Sequence, residues 1–331
     1  MLSKLCGIAQ VAPMSKQPLI EQLDKAIERI LANPDDAVPS TDPEVASLLP
    51  IAHDLRDLPN AEFKANLKAD LERMAMATAK TTVNIAALRP GFRTITPYLL
   101  PPGPEFDKFL KDVFGAEQTA WHEAGPGRVH AEYRIGDSML MVGIGSGTKM
   151  PAVLTVYVDD VDTTYHRALA AGATSAYNVT ESYGDRFGVV QDAADNFWII
   201  SKYLGRDPIL AQPQLNTITL GFSVEGAARF IDFLKQAFVA EEVVRYDAEG
   251  QVKHAKIRIG DSIIGVGDAH GPQSCRSMIR MYVPNCDATY EQALLSGGKS
   301  IAPVDDRPYG DREGGVEDAW GNQWFMATPI K

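Results

Sequence analysis

The feature that most constrains this chain is that it says the same thing twice. YGDRFGVVQD (Tyr183–Asp192) returns as YGDREGGVED (Tyr309–Asp318). The agreement extends well beyond that motif. FGAEQ at Phe114 aligns with FVAEE at Phe238, an offset of 124 residues, and VHAEYRIGDSMLMVG (Val129–Gly143) aligns with KHAKIRIGDSIIGVG (Lys253–Gly267) at the same offset. VYVDDVDTTYHRALAAGA (Val156–Ala173) aligns with MYVPNCDATYEQALLSGG (Met281–Gly298) at 125, and DNFW at Asp195 with GNQW at Gly321 at 126. Two one-residue insertions over this length are changes in loops. The repeat is far longer than a solenoid unit, so each copy reads as a domain, at 94–203 and 215–329.

Inside each copy the hydrophobic period alternates between helix and strand. EFDKFLKDVFG places Phe106, Phe109, Leu110 and Phe114 at helical spacing before a glycine. RVHAEYRIGDSMLMVG alternates, turns at Gly136–Asp137 and alternates again, the pattern of a β-hairpin. PAVLTVYVDDVD predicts a strand. VDTTYHRALAAGA predicts a helix capped near Asp162 or Thr163 and stopped by Gly172. FGVVQDAADNFWIISKY predicts a second hairpin, turning over Ala193–Asn196. The unit is β-α-β-β-β, and the fold class is α+β.

These segments carry a resemblance. TPYL at Thr96–Leu99, HAEYRIGDSMLM, VYVDDVD, the ALAAGA helix end and YGDRFGVVQDAADNFW resemble the vicinal-oxygen-chelate superfamily of glyoxalases, bleomycin-resistance proteins and dioxygenases, and within it the PhnB-like branch. The second copy departs from the pattern where VPNC replaces VDDV and GFSV replaces PYLL. The resemblance implies two tandem domains of paired βαβββ modules, whose strands curl into open cups with the ligand site on the concave face.

It also implies a divalent ion, held by His, Glu or Asp side chains on the first and fourth strand of each module. By register those positions fall near Thr96, Met141, Val153 and Ile200 in the first copy and Thr219, Gly265, Met278 and Met326 in the second. None has a His, Asp, Glu or Cys within two residues. The expectation is therefore that both cups lack the usual metal and need no cofactor. GIGSG at Gly143–Gly147 lacks the lysine and helix start of a phosphate-binding loop and reads as a plain loop.

The candidate site comes from the hairpin strand. Its two faces are Ala131, Tyr133, Ile135 against His130, Glu132, Arg134, and in the second copy Ala255, Ile257, Ile259 against His254, Lys256, Arg258. The polar set either faces solvent or walls the cup. As a wall, His130 with Glu132 suits proton transfer, and His254 with Lys256 and Arg258 suits an anionic ligand. Tyr183, Asp185 and Arg186, with Tyr309, Asp311 and Arg312, either fix a turn by ion pairing or form a lip over the cup. Trp198 and Trp324 read as core or cup floor. His53, His122, His166 and His270 read as solvated or capping.

Residues 1–80 stand outside the repeat. LIEQLDKAIERIL and NAEFKANLKADLERM are amphipathic, and TDPEVASLLPIAHDL starts well but meets Pro50. They form a helical segment that packs on the cups, joins subunits or binds a protein partner. Residues 79–93 and 205–214 read as linkers.

Bulk properties narrow the partners. A net charge of −11 disfavours nucleic acid, which needs clustered Lys and Arg. No stretch is apolar enough to span a membrane or to serve as a signal h-region. Three cysteines without a CxxC pair point to a reducing cytoplasm. Three functions follow: a metal-free binder of a small, partly apolar or anionic molecule; a lyase-, isomerase- or dioxygenase-like enzyme centred on His130 and Glu132; or a scaffold acting through its helical arm.

Overall fold

The computed structural model describes residues 89, 91–182, 184–205, 216–269 and 276–330, all within the unit Lys80–Lys331. The helices expected over 1–80, most of both linkers, and Cys6, Cys275, His53, His270 and Tyr183 lie outside the described residues.

Four βαβββ modules follow one another. The first is β1 (Ile95–Leu99), α1 (Glu105–Phe114), β2 (Glu117–Glu123), β3 (Val129–Ile135) and β4 (Ser138–Ile144). The second is β5 (Val153–Tyr157), α2 (Val161–Ala170), β6 (Thr174–Ser182), β7 (Asp185–Gln191) and β8 (Phe197–Tyr203). The third is β9 (Ile218–Val224), α3 (Ala227–Phe238), β10 (Glu241–Ala248), β11 (Gln251–Ile259) and β12 (Ser262–Asp268). The fourth is β13 (Met278–Tyr282), α4 (Cys286–Leu295), β14 (Lys299–Asp306), β15 (Asp311–Glu317) and β16 (Gln323–Pro329).

Local chemistry explains the helix ends. Gly115, at φ 64°, closes α1. Helix α2 is capped by Asp160, whose side chain accepts from the Thr163 amide at 3.0 Å, two residues before the expected cap. The strand before it therefore stops at Tyr157, because Asp159–Asp160 already turns into the helix. Asn285 caps α4 in the same way, accepting from Ala288.

The modules pair as cups, but across the repeats. One sheet runs β14-β15-β16-β13-β1-β4-β3-β2 and joins the first module to the fourth; the other runs β10-β11-β12-β9-β5-β8-β7-β6 and joins the second to the third. The seams are antiparallel: β1 on β13, with Thr96 opposite Arg280, and β5 on β9, with Thr155 opposite Thr219. Each repeat thus gives one module to each cup.

Within a repeat the modules meet through side chains instead. Phe114 at the end of α1 packs on Trp198 of β8, centroids 4.7 Å apart, and Phe238 of α3 packs on Trp324 of β16 at 4.7 Å. Both tryptophans are fully buried in the shared core, on the helix side of the sheets and not on a cup floor. Their Nε1 atoms donate to Asp192 at 2.7 Å and Asp318 at 2.8 Å. Those carboxylates also accept from Asn196 and Asn322. Burial raises the pKa of both aspartates, and the donors around them offset this only in part.

The repeated IGDS turn clasps the two repeats together. Asp137 accepts from the Thr217 amide at 2.7 Å and Ser138 from the Ile218 amide at 2.9 Å. Asp261 and Ser262 do the same for Thr94 at 2.8 Å and Ile95 at 2.9 Å. Each hairpin tip thereby satisfies the opening amides of the other repeat's first strand. The turn glycines have φ +58°, and a Cβ on Gly260 would stand 2.2 Å from the Thr94 hydroxyl. Only glycine suits this approach.

Candidate functional site: two unequal cups

The hairpin strands settle which face is inward. Ala131, Tyr133 and Ile135, with Ala255, Ile257 and Ile259, lie in the core, so the alternate residues of β3 and β11 face the cups. His130, Glu132 and Arg134 line the first-and-fourth-module cup, and His254, Lys256 and Arg258 the other.

In the first-and-fourth-module cup the inner face is filled. His130 lies 3.0 Å from the Tyr98 hydroxyl through Nδ1 and 3.3 Å from Glu132 through Nε2. Arg89 pairs with Glu132 and donates to the Tyr282 hydroxyl. It also lies over the Phe92 ring at 4.1 Å. Arg280 sits between Asp311 and Glu313, pairing with both, and Tyr309 donates to Glu313 at 2.8 Å. Met139, Met141, Phe92 and Tyr282 form an apolar cluster with Tyr98 packed on it. Burial raises the Tyr98 pKa to about 12 and lowers that of Arg280. Burial alone would raise Glu132, but His130 and Arg89 outweigh it and hold the carboxyl below its ordinary range. His122, expected near a loop, lies on edge strand β2 opposite His130, the rings parallel with centroids 6.5 Å apart.

The second-and-third-module cup has different contents. Register places Thr155, Tyr157, Ile199, Ser201, Asp185 and Phe187 on one half of its face. The other half carries Thr219, Gly221, Gly265, Lys256 and His254. Asp185 accepts from Ser201 at 3.0 Å, and its second oxygen is buried with no hydrogen bond. Burial raises Asp185, while Ser201 and the Lys256 charge pull it back. Burial lowers Lys256, with Asp185 opposing, and lowers His254, with Lys256 adding to the effect.

The remaining sequence candidates divide between rim and back. Arg134 pairs with Glu117 at 2.5 Å and Arg258 with Glu241 at 3.3 Å, all four exposed at the sheet edges. Arg186 and Arg312 point away from the cups. Each makes a two-pronged pair with a first-turn helix aspartate, Arg186 with Asp162 at 2.8 and 2.7 Å and Arg312 with Asp287 at 2.6 and 2.6 Å. In YGDR, therefore, the aspartate faces the cup and the arginine anchors the helix. Sequence reasoning did not single out Arg89, Tyr98 or Arg280. Arg89 lay in a segment read as linker, and the other two lie on strands whose partners belong to the opposite repeat.

Among the described residues no three His, Cys, Asp or Glu side chains group closely enough to hold a metal ion. The cup carboxylates are committed to arginines or to Ser201, and the eight register positions carry Thr, Met, Val, Ile or Gly. These residues do not fit the superfamily's divalent ion. A cavity of about 470 Å³ lies apart from both cups, lined by Pro101, Phe106, Lys108, Ala171 and Asp192 among others. Among the described residues no helix is long and apolar enough to cross a membrane.

Comparison with solved structures shows where the fold recurs. Glyoxalase I from Zea mays superposes with TM-score 0.55 at 11% identity, covering 71% of this chain and 92% of that one. A putative dioxygenase from Bacillus subtilis gives 0.51 at 12%, covering 71% and 84%. The fold is shared with these structures: βαβββ modules paired into two eight-stranded sheets. Sequence places the chain more narrowly: uncharacterised proteins of Mycobacterium bovis and Mycobacterium tuberculosis are 32% identical over 122 residues, which is 33% of this chain and 80% and 71% of theirs. The chain belongs to the same family as these mycobacterial proteins. No family model matches it.

Proposed function

We propose that this protein binds a small, partly apolar molecule in a cup without the superfamily's metal, in the manner expected of a bleomycin-resistance-like member. The donor set carries this reading. No inward position on the first and fourth strands bears a ligand for a divalent ion, while both cup faces combine apolar side chains with a few polar groups, the usual make-up of a small-molecule site. Elemental analysis of the purified protein tests the metal half, and stoichiometric Zn, Ni, Mn or Fe overturns it. A thermal-shift screen of antibiotics and dicarbonyl–glutathione adducts tests the binding half, since a ligand of the native state raises Tm.

A second reading, proton transfer at His130, draws support from its place between Tyr98 and Glu132. Glu132 is already engaged by Arg89, which weakens it as a proton acceptor. Turnover abolished by His130→Gln, with binding kept, would favour the enzyme.

A further inference from the structure

The turn between β7 and β8 and the turn between β15 and β16 are twins that carry different side chains at one place, Ala194 and Trp320. Their frames agree. Asp192 accepts from the Ala194 amide at 2.8 Å and the Asn196 amide at 3.0 Å, and Asp318 accepts from the Trp320 and Asn322 amides at 2.9 Å each. The next residues, Asp195 and Gly321, both have positive φ, 66° and 83°. The Cβ atoms at 194 and 320 therefore leave the backbone at equivalent places. In the second repeat that side chain is an indole. It meets Phe230 of α3 edge-on, centroids 5.0 Å apart, and Phe233 at 6.1 Å. Its Nε1 donates to the Glu225 carbonyl at 2.8 Å. In the first repeat the place holds a methyl group, while the aromatic pair beneath is kept. Phe106 and Phe109 stack with centroids 5.9 Å apart, as Phe230 and Phe233 do at 6.5 Å. The cavity of about 470 Å³ lies at this spot, bordered by Phe106, Phe109, Ala194 and Pro101. Pro101 is the counterpart of Glu225 at the 124-residue offset.

We infer that this cavity is a binding site, separate from both cups, for a small planar aromatic molecule with a ring N–H, of which indole is the simplest. Trp320 is the built-in occupant of the twin site and serves as the template. A free indole over Phe106 and Phe109 makes the contacts that Trp320 makes on Phe230 and Phe233, and such aromatic pairs gain more than burial alone. The Pro101 carbonyl accepts from the Gly145 amide at 3.2 Å and keeps a second lone pair for the ring N–H. The cavity's volume falls within the range of small-molecule sites. The chain's four tryptophans, Trp121, Trp198, Trp320 and Trp324, all lie outside its lining, so the occupant comes from elsewhere. Charge narrows the class. The border carries Glu105 and Asp112, the latter paired with Lys108, where α3 and the residue before it in the second repeat carry Arg229, Gln236 and Asp232. The excess of carboxylate favours a neutral or cationic ring over an anionic one.

The probe is indole, in equilibrium dialysis against the full chain. Ala194→Trp copies the second repeat and is expected to lower the indole bound at saturation by one per chain. Trp320→Ala vacates the twin site and is expected to raise it by one. Either variant decides the matter should the other not fold. N-methylindole, which cannot donate, is expected to bind about fivefold more weakly than indole, and indole-3-acetate more weakly than tryptamine. Saturable indole binding that neither substitution alters belongs elsewhere; it overturns this site and leaves the cup reading standing. No saturable indole binding also overturns the site. Self-association of the wild type that Ala194→Trp abolishes, with no indole bound, assigns the cavity to a second copy of the chain and overturns the small-molecule occupant. Equal affinity for indole and N-methylindole overturns the N–H donor, and equal affinity for tryptamine and indole-3-acetate overturns the charge preference.

Discussion

At the scale of single residues, the informative positions are those where chemistry is forced. Gly260 is held at positive φ with the Thr94 hydroxyl where a Cβ would be. Gly260→Ala combines backbone strain with a clash and is expected to cost about 1–3 kcal/mol, read as a shift of urea midpoint at unchanged slope. His254 makes a pH prediction. Burial, then Lys256, hold its folded pKa below the ordinary 6.5. Below that pH the unfolded chain takes up a proton that the folded chain resists, so His254 costs stability as pH falls and costs none above neutrality. Urea midpoints between about pH 5 and 8 should fall more steeply on acidification in the wild type than in His254→Gln. Equal slopes would refute this. The alternation of His130, Glu132 and Arg134 was legible in the sequence, because a strand period of two survives any uncertainty of register. Which of these residues meet one another was not legible. Arg89 and Arg280 find partners far away in sequence, and spacing carries no signal of that.

At the scale of elements, helices α1 and α2 and the inner strands were readable because each buries one face in a periodic way. Edge strands β2, β6, β10 and β14 are mostly exposed, so they lack the apolar alternation that marks a strand. The YGDR motif, readable as a turn, proves to be two devices in one: Asp311 turns inward to Arg280 while Arg312 grips the first turn of α4. The filled inner face of the first-and-fourth-module cup depends on the former. Arg280→Met leaves Asp311 and Glu313 buried without a counter-charge and is expected to cost about 3–5 kcal/mol in a denaturation experiment. Among the described residues Thr155, its counterpart on β5, carries no such network, and Thr155→Val should cost far less. Comparable losses at the two positions would show that the cups are energetically alike.

At the scale of the whole molecule, the duplication announced two cups, yet the exchange of modules between repeats was hidden. Sequence reports which strands exist, whereas seam choice depends on the IGDS clasps and on which sheet edges remain unpaired. The crossing has a direct consequence for fragments. Residues 94–203 alone hold one module of each sheet, and their β1 and β5 seams have lost β13 and β9. An unpaired, buried strand edge is unstable or self-associating. Either repeat expressed alone should give dimers or aggregates by light scattering, and the two together should restore a one-to-one complex. A folded, monomeric single repeat would refute this.

Crossed seams also tie the fates of the two hollows. Each wall is co-owned, so a change inherited by one half of the gene alters the surroundings of residues in the other. Duplication here did not create two independent vessels. It left both sheets holding the halves together, one of them with its inner face filled by paired side chains.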